Sequence, residues 1–284
     1  MSMKLFSWKF LPKVFLLFIL IILFRINTNA QILIGPEVGG QINWMVFDDK
    51  DDKAFYTLKP LVNFHAGASL SFRAHKRFFL QTSFLYSQKG KLLEAKDNSG
   101  TRNELNFKYI DVPILYTAEF KAKFGKDKIY KLYFGVGPTI SYWLGGKGVL
   151  VHGDLNENSI NPPNYDLSYK ITFNKDSASV ATNEMNVREP NRIQLGLNAT
   201  AGLVFEPMGK HKIMVNIRYA FGQSFLSRYG KGEFGLPGIL YYEDNLRVRS
   251  RELVLSANYF IDLKTDQHKK GKSTSKVKTG HSKK

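Results

Sequence analysis

Apolar and polar residues alternate along most of this chain. From Val62 to Phe72, Val62, Phe64, Ala66, Ala68, Leu70 and Phe72 are interleaved with Asn63, His65, Gly67, Ser69 and Ser71. A strand sends successive side chains to opposite faces, so one face here is fully apolar and the other polar or small. The same pattern runs through Leu132–Leu144, Ile193–Phe205 and Ile213–Phe221. It recurs in shorter form in Val38–Val46, Phe78–Tyr86, Ile110–Phe120 and Leu253–Ile261. The longest runs exceed the five or six residues, roughly, of a common soluble strand and suit the ~9–11 residues of a strand that crosses a bilayer.

The links between these runs are brief after the second, fourth and sixths of them, at Ala74–Arg77, Lys121–Lys131 and Pro207–Lys212, and longer elsewhere. The segment from Gly145 to Asn191 is the longest and reads as an external loop. Aromatic residues gather at the strand ends. Trp44, Tyr86, Tyr142, Trp143 and Tyr219 are expected at the outer rim, and Phe72, Phe78, Phe120, Phe205 and Tyr259 at the inner rim. Such girdles mark headgroup depth. Lipid offers the backbone no hydrogen-bond partner, so a sheet within it must close on itself. The pattern therefore predicts an all-β fold: an eight-stranded antiparallel up-and-down transmembrane β-barrel with short periplasmic turns and long external loops. A soluble lipocalin-like barrel would need the inverse polarity, with a greasy lumen.

The ends sharpen this picture. Lys4, Lys9 and Lys13 precede an apolar run from Val14 to Phe24, and the small residue Ala30 closes the polar stretch after it. This reads as a signal peptide over residues 1–30, with the barrel over 31–263. The run is too short for a spanning helix, which needs roughly 20 residues. Residues 264–284 form a Lys-rich tail expected to be disordered in the periplasm. Net charge is +17, but Lys4, Lys9, Lys13 and Arg25 lie in the leader and eight lysines against Asp266 lie in the tail. The barrel body carries only roughly +6 of it. The chain has no cysteine, which excludes disulfides, thiol chemistry and a lipoprotein anchor.

Several stretches resemble the PorT-like outer-membrane β-barrel family of Bacteroidota. They are Lys108–Leu115 (KYIDVPIL), Leu132–Pro138 (LYFGVGP), Leu80–Gly90 (LQTSFLYSQKG) and Ile217–Gly222 (IRYAFG). The resemblance spans about Gln31 to Leu263 and implies an outer-membrane barrel of Gram-negative bacteria, with a link to type IX protein secretion through the family's named member. This chain departs from the family in its basic tail and its long third external loop.

Candidate chemistry is sparse. Glu37, Lys89, Asp111, Glu119, Arg218 and Glu252 have interior parity, and His65 joins them. Charges in a narrow lumen should pair, since an unpaired charge away from water is costly. Glu37, His65, Asp111, Arg218 and Glu252 are thus expected to form a structural polar network, with Arg218 paired to Asp111 or Glu252. A polar track for a small solute or ion is the alternative reading. Arg249 and Arg251 share parity with lipid-facing Leu253 and Leu255 near the outer rim, and either snorkel, belong to the loop, or contact lipopolysaccharide phosphates. The tail offers its charge to a periplasmic or cell-wall partner, and nucleic acid is not expected there. The histidines are scattered, His152 and Asp154 stand near each other without a third group, and Gly145–Gly148 lacks phosphate-loop spacing. No catalytic residue, cofactor or metal site is indicated. The reading is a non-enzymatic interaction, assembly or structural protein of the outer membrane.

Overall fold

The computed structural model describes residues 31–48, 50–96, 100–124, 128–151, 166–207, 211–235 and 244–263. The expected signal peptide, the Lys-rich tail, and His152 with Asp154 lie outside the described residues. The elements are β1 (Ile32–Phe47), α1 (Lys50–Phe55), β2 (Tyr56–Lys59), β3 (Leu61–His75), β4 (Phe78–Ala95), β5 (Arg102–Phe124), β6 (Lys128–Val151), β7 (Leu167–Phe173), β8 (Glu184–Val187), β9 (Ile193–Phe205), β10 (His211–Gly222), β11 (Lys231–Phe234), β12 (Asp244–Asn245) and β13 (Val248–Asp262).

Eight of these strands close a ring in the order β1, β3, β4, β5, β6, β9, β10, β13 and back to β1, every pair antiparallel. Each contains one of the eight alternating runs, and each run keeps its face. Outward positions include Val62, Phe84, Tyr116, Phe134, Val136, Ile193, Leu195, Ile217 and Leu255, all exposed. Inward positions are mostly Ser, Thr, Asn, Gln, Gly and charged residues, nearly all buried, with a few apolar ones such as Leu33, Phe79 and Phe260. The turns β3–β4, β5–β6 and β9–β10 lie at one end, together with both ends of the barrel sequence. There Leu263 N–H donates to Ile32 O at 2.8 Å. This is the periplasmic end of an outer-membrane barrel.

The strands do not stop at the far rim. β5 has 23 residues and β6 has 24, about twice what a bilayer requires. β9 leaves β6 after the pair Tyr142↔Ile193, and β7 takes its place from Gly146↔Ile171 onward. β3 leaves β4 after His65↔Ser87, and β2 pairs with β4 between Lys59↔Leu92 and Tyr56↔Ala95. The sheet outside the barrel thus runs β2, β4, β5, β6, β7, β8, β11, β12, with β7 and β8 parallel. Within the Gly145–Asn191 segment, expected as loop, the end of β6 to Val151, β7 and β8 are therefore sheet. Its strands were hidden because their apolar face packs inward and their outward face meets water, the reverse of the bilayer pattern.

That inward face forms a core of Met45, Phe47, Leu93, Leu105, Phe107, Tyr109, Trp143, Leu150, Leu167, Tyr169, Ile171, Met185, Val187, Leu226, Leu246 and Val248. Trp143 corrects the girdle assignment. It is fully buried at the centre of this core, edge-on to Phe107 at 5.3 Å and to Phe173 at 4.8 Å. A bulge explains how β6 serves both regions. Tyr109 pairs with Trp143 and Lys108 with Gly145, so Leu144 is an extra residue. Gly145 takes φ of 151°, open to glycine, and its carbonyl accepts the Trp143 indole N–H at 3.0 Å. The remaining outer aromatics behave as a girdle, with Trp44 and Tyr219 rings 6.2 Å apart.

Candidate functional site

The lumen is the first candidate, because alternation delivers side chains from all eight strands into it. It is filled in layers. At the periplasmic end Leu33, Phe79, Tyr133, Val204, Met214 and Phe260 form an apolar floor. Lys212 is ion-paired with Glu119 there and stands 4.4 Å from the centre of the Phe79 ring.

The next layer centres on Glu37. Its carboxylate accepts from Ser83 Oγ at 2.7 Å, Asn258 Nδ2 at 2.8 Å and Ser69 Oγ. Arg218 lies 3.8 Å away and His65 Nε2 3.7 Å. His65 Nε2 also meets Ser256 Oγ at 3.0 Å. Gly39 makes room for the imidazole: a Cβ there would stand 2.5 Å from His65 Cε1. A carboxylate this buried is held by the hydrogen bonds that replace its water.

Above it sits Lys89, which pairs with Glu252 at 2.8 Å and with Asp111 at 3.2 Å. Ser87 donates to Asp111, and Ser250 Oγ donates to Glu252 at 2.8 Å. The Lys89 ammonium also faces the Tyr109 ring at 4.8 Å. Arg218 points into the lumen as expected, but its ion pair is with Glu37. Asp111 and Glu252 pair with Lys89 instead. Side-chain parity places these groups inside, whereas the partner depends on strand stagger around the ring, which parity does not specify. Between the two charged layers, Arg218, Lys89, Asp111, Glu252 and their neighbours line a cavity of about 30 Å³. It has room for about one or two waters.

The outer core closes the lumen from above. Within it Lys91, fully buried, pairs with Asp244 at 2.5 Å and donates to Asn245 O at 2.7 Å. Sequence reading missed Lys91, although it continues the parity of Lys89. The alternating run ends at Tyr86, and Leu92 and Leu93 beyond it break the period, so nothing in the pattern marks Lys91 as a strand residue.

The second candidate is the outer rim of the lipid-facing surface. Arg249 and Arg251 point outward, as expected. Arg249 lies 3.5 Å from Asp48 and 4.4 Å from the centre of the Phe225 ring. Arg251 donates to Tyr219 Oη at 3.3 Å and stacks on Phe221 at 4.9 Å. Arg192 sits over both Tyr142 and Phe173, at 4.8 and 4.7 Å. Guanidinium groups held on aromatic faces keep their hydrogen-bonding edges free for an anion.

Residues 27–224 match the family described as outer membrane protein beta-barrel domain. A search of curated proteins finds no match. Among solved structures, the chain is similar to neisserial surface protein A (TM-score 0.36, 11% identity, covering 82% of this chain and 98% of that one). It is also similar to Ail, the attachment invasion locus protein of Yersinia pestis (0.34, 14%, 81% and 98%), and to OprG from Pseudomonas aeruginosa (0.39, 8%, 82% and 92%). The family match covers more than half the chain, and the closed ring with its apolar belt is what that family's description requires. The chain thus belongs to the outer membrane protein beta-barrel domain family and resides in the outer membrane.

Proposed function

We propose that this protein is a sealed, non-enzymatic outer-membrane anchor that presents its external sheet to a binding partner. The observation that carries this reading is the filling of the lumen. An ion crossing it would have to displace an apolar floor, two charged layers and an aromatic core, and the cavity between the charged layers is about 30 Å³. Disrupting the paired charges leaves buried ions uncompensated, so spontaneous opening is costly. The resemblance to PorT-like barrels makes assembly work in type IX secretion the most specific form of this proposal. Arg249 and Arg251 contact lipopolysaccharide phosphates in the same reading, and the basic tail serves a periplasmic or cell-wall partner.

Planar-bilayer recording separates this from the narrow-channel alternative. The wild-type protein should give no conductance steps above the bare bilayer, while Lys89→Ala combined with Trp143→Ala should give flickering ones. Steady wild-type steps would overturn the sealed-anchor reading and favour a small-solute or ion channel.

A further inference from the structure

The outward face of the external sheet carries a depression of about 390 Å³ where β5, β6 and β7 run side by side. Lys147 and Lys170 line it, with Asn106, Ser168 and Asn183 beside them. The register places these groups. Lys147 stands between Asn106 on β5 and Lys170 on β7, and in the next row Val149 stands between Glu104 and Ser168. Asn183 is brought in by its carbonyl, which accepts the Lys170 backbone N–H at 2.9 Å.

Two lysines directly opposite on neighbouring strands repel, with Cβ atoms about 5 Å apart. The acids within reach are engaged elsewhere. Glu104, which also lines the depression, pairs with Arg102 at 3.2 Å. Glu184, opposite Lys170 on β8, pairs with Lys175 at 2.6 Å. Among the described residues, Lys147 and Lys170 have no ion pair of their own. Two facing ammonium groups match the charge of one phosphate monoester, about −1.5 to −2 at neutral pH, better than that of a carboxylate. The amides of Asn106 and Asn183 and the hydroxyl of Ser168 offer donors and acceptors to sugar hydroxyls.

Height above the membrane says which phosphate. β5 faces hydrocarbon at Ile110, and Lys108, exposed and opposite Gly145, is the next outward residue. Asn106 lies four residues beyond Ile110, roughly 13 Å along a tilted strand and ~10 Å in height. Headgroups extend ~5–7 Å beyond the hydrocarbon on each side. The depression therefore looks sideways into the sugar layer of the outer leaflet. We propose that Lys147 and Lys170 bind a phosphate on the core sugars of lipopolysaccharide, with Asn106, Ser168 and Asn183 receiving the sugar that carries it. Arg249 and Arg251 lie on β13, across the ring from β5, and the site does not depend on them.

The test uses the full-length protein folded in detergent, with each variant checked by heat-modifiable gel mobility. Titration calorimetry compares four probes: the phosphorylated core oligosaccharide released from lipopolysaccharide, the same oligosaccharide dephosphorylated, glucose 6-phosphate, and a poly-glutamate peptide. Wild type should bind the phosphorylated core best, and failure to bind it would end the proposal. Lys147→Gln with Lys170→Gln should weaken that binding roughly tenfold. Lys59→Gln with Lys96→Gln takes the same charge from the β2 edge of the sheet and should leave it unchanged. Equal loss in both double variants would mean diffuse attraction to a basic protein and overturn the site. Undiminished binding of the dephosphorylated core would overturn the phosphate. Glucose 6-phosphate bound as tightly as the core would overturn the assignment to the membrane glycolipid. Tighter binding of poly-glutamate would replace it with an acidic protein partner.

Discussion

The two halves of β5 make opposite use of the same alternation. From Ile110 to Phe120 the outward residues are Ile110, Val112, Ile114, Tyr116, Ala118 and Phe120, while Asp111, Pro113 and Thr117 face the lumen. From Arg102 to Tyr109 the outward residues are Arg102, Glu104, Asn106 and Lys108, while Leu105, Phe107 and Tyr109 are buried inside. The backbone does not change direction or face. The solvent does: hydrocarbon surrounds the first half and water the second. Burial of apolar surface then drives a core inside the external sheet, whereas within the bilayer no hydrophobic force favours an apolar lumen. β6 makes the same switch with the help of the bulge at Leu144 and Gly145, which resets its parity before Val149 and Leu150.

Changes that treat the halves alike should have unlike effects. The largest is expected in the external core, where Trp143→Ala removes the residue on which Phe107, Tyr109 and Phe173 pack. A cost of about 3–5 kcal/mol should fall on the external sheet. Hydrogen exchange should then quicken in β7 and β8 and leave the barrel strands protected. Lys91→Met should cost a comparable ~3–5 kcal/mol by removing the cation that pairs with buried Asp244, measured by denaturant unfolding of the folded protein. Lys91→Met with Asp244→Leu should recover most of it.

Next in size is the contrast along the outward face of β6. Val136→Arg places a charge on the lipid-facing belt and should cost about 2–4 kcal/mol in folding into vesicles. Val149→Arg lies on the outward face of the same strand beyond the bulge and should change little. The smallest effect belongs to Glu184 on β8. Its carboxyl is held below the usual carboxylate range by the hydrogen bond from Lys175 at 2.6 Å, with help from the Ala181 N–H. A lowered folded pKa gives stability that is present above the usual carboxylate pKa and fades as pH falls through the folded value. Amide protection in β8 should therefore weaken in acid, and Glu184→Gln should remove that pH dependence.

The barrel was legible because eight segments obey one rule without interruption. Parity alone put Glu37, His65, Asp111, Arg218 and Glu252 inside and Arg249 and Arg251 outside. Pairing within the lumen was not legible, since whether Arg218 meets Glu37 or Asp111 depends on how far each strand is staggered around the ring. The external sheet escaped for a different reason. Leu105 and Phe107 lie before the Ile110–Phe120 run, with parity opposite to its greasy face, so the alternation rule for a bilayer strand does not extend to them. Trp143 next to Tyr142 gave two aromatics of opposite parity, and both were placed in the girdle. Only the bulge at Gly145 and the partner strand β7 show that Trp143 belongs to a water-facing domain's core.

A single strand, β5, crosses from hydrocarbon to water between Val112 and Lys108. The chain contains no cysteine, so single cysteines placed at outward positions of β5 report their own surroundings. Intact cells bearing Glu104→Cys, Lys108→Cys, Val112→Cys or Ile114→Cys should be treated with a membrane-impermeant maleimide. Labelling of the first two and none of the last two until the protein is unfolded is the predicted result. Rapid labelling of Val112→Cys and Ile114→Cys in intact cells, or none at Glu104→Cys and Lys108→Cys, would contradict the account.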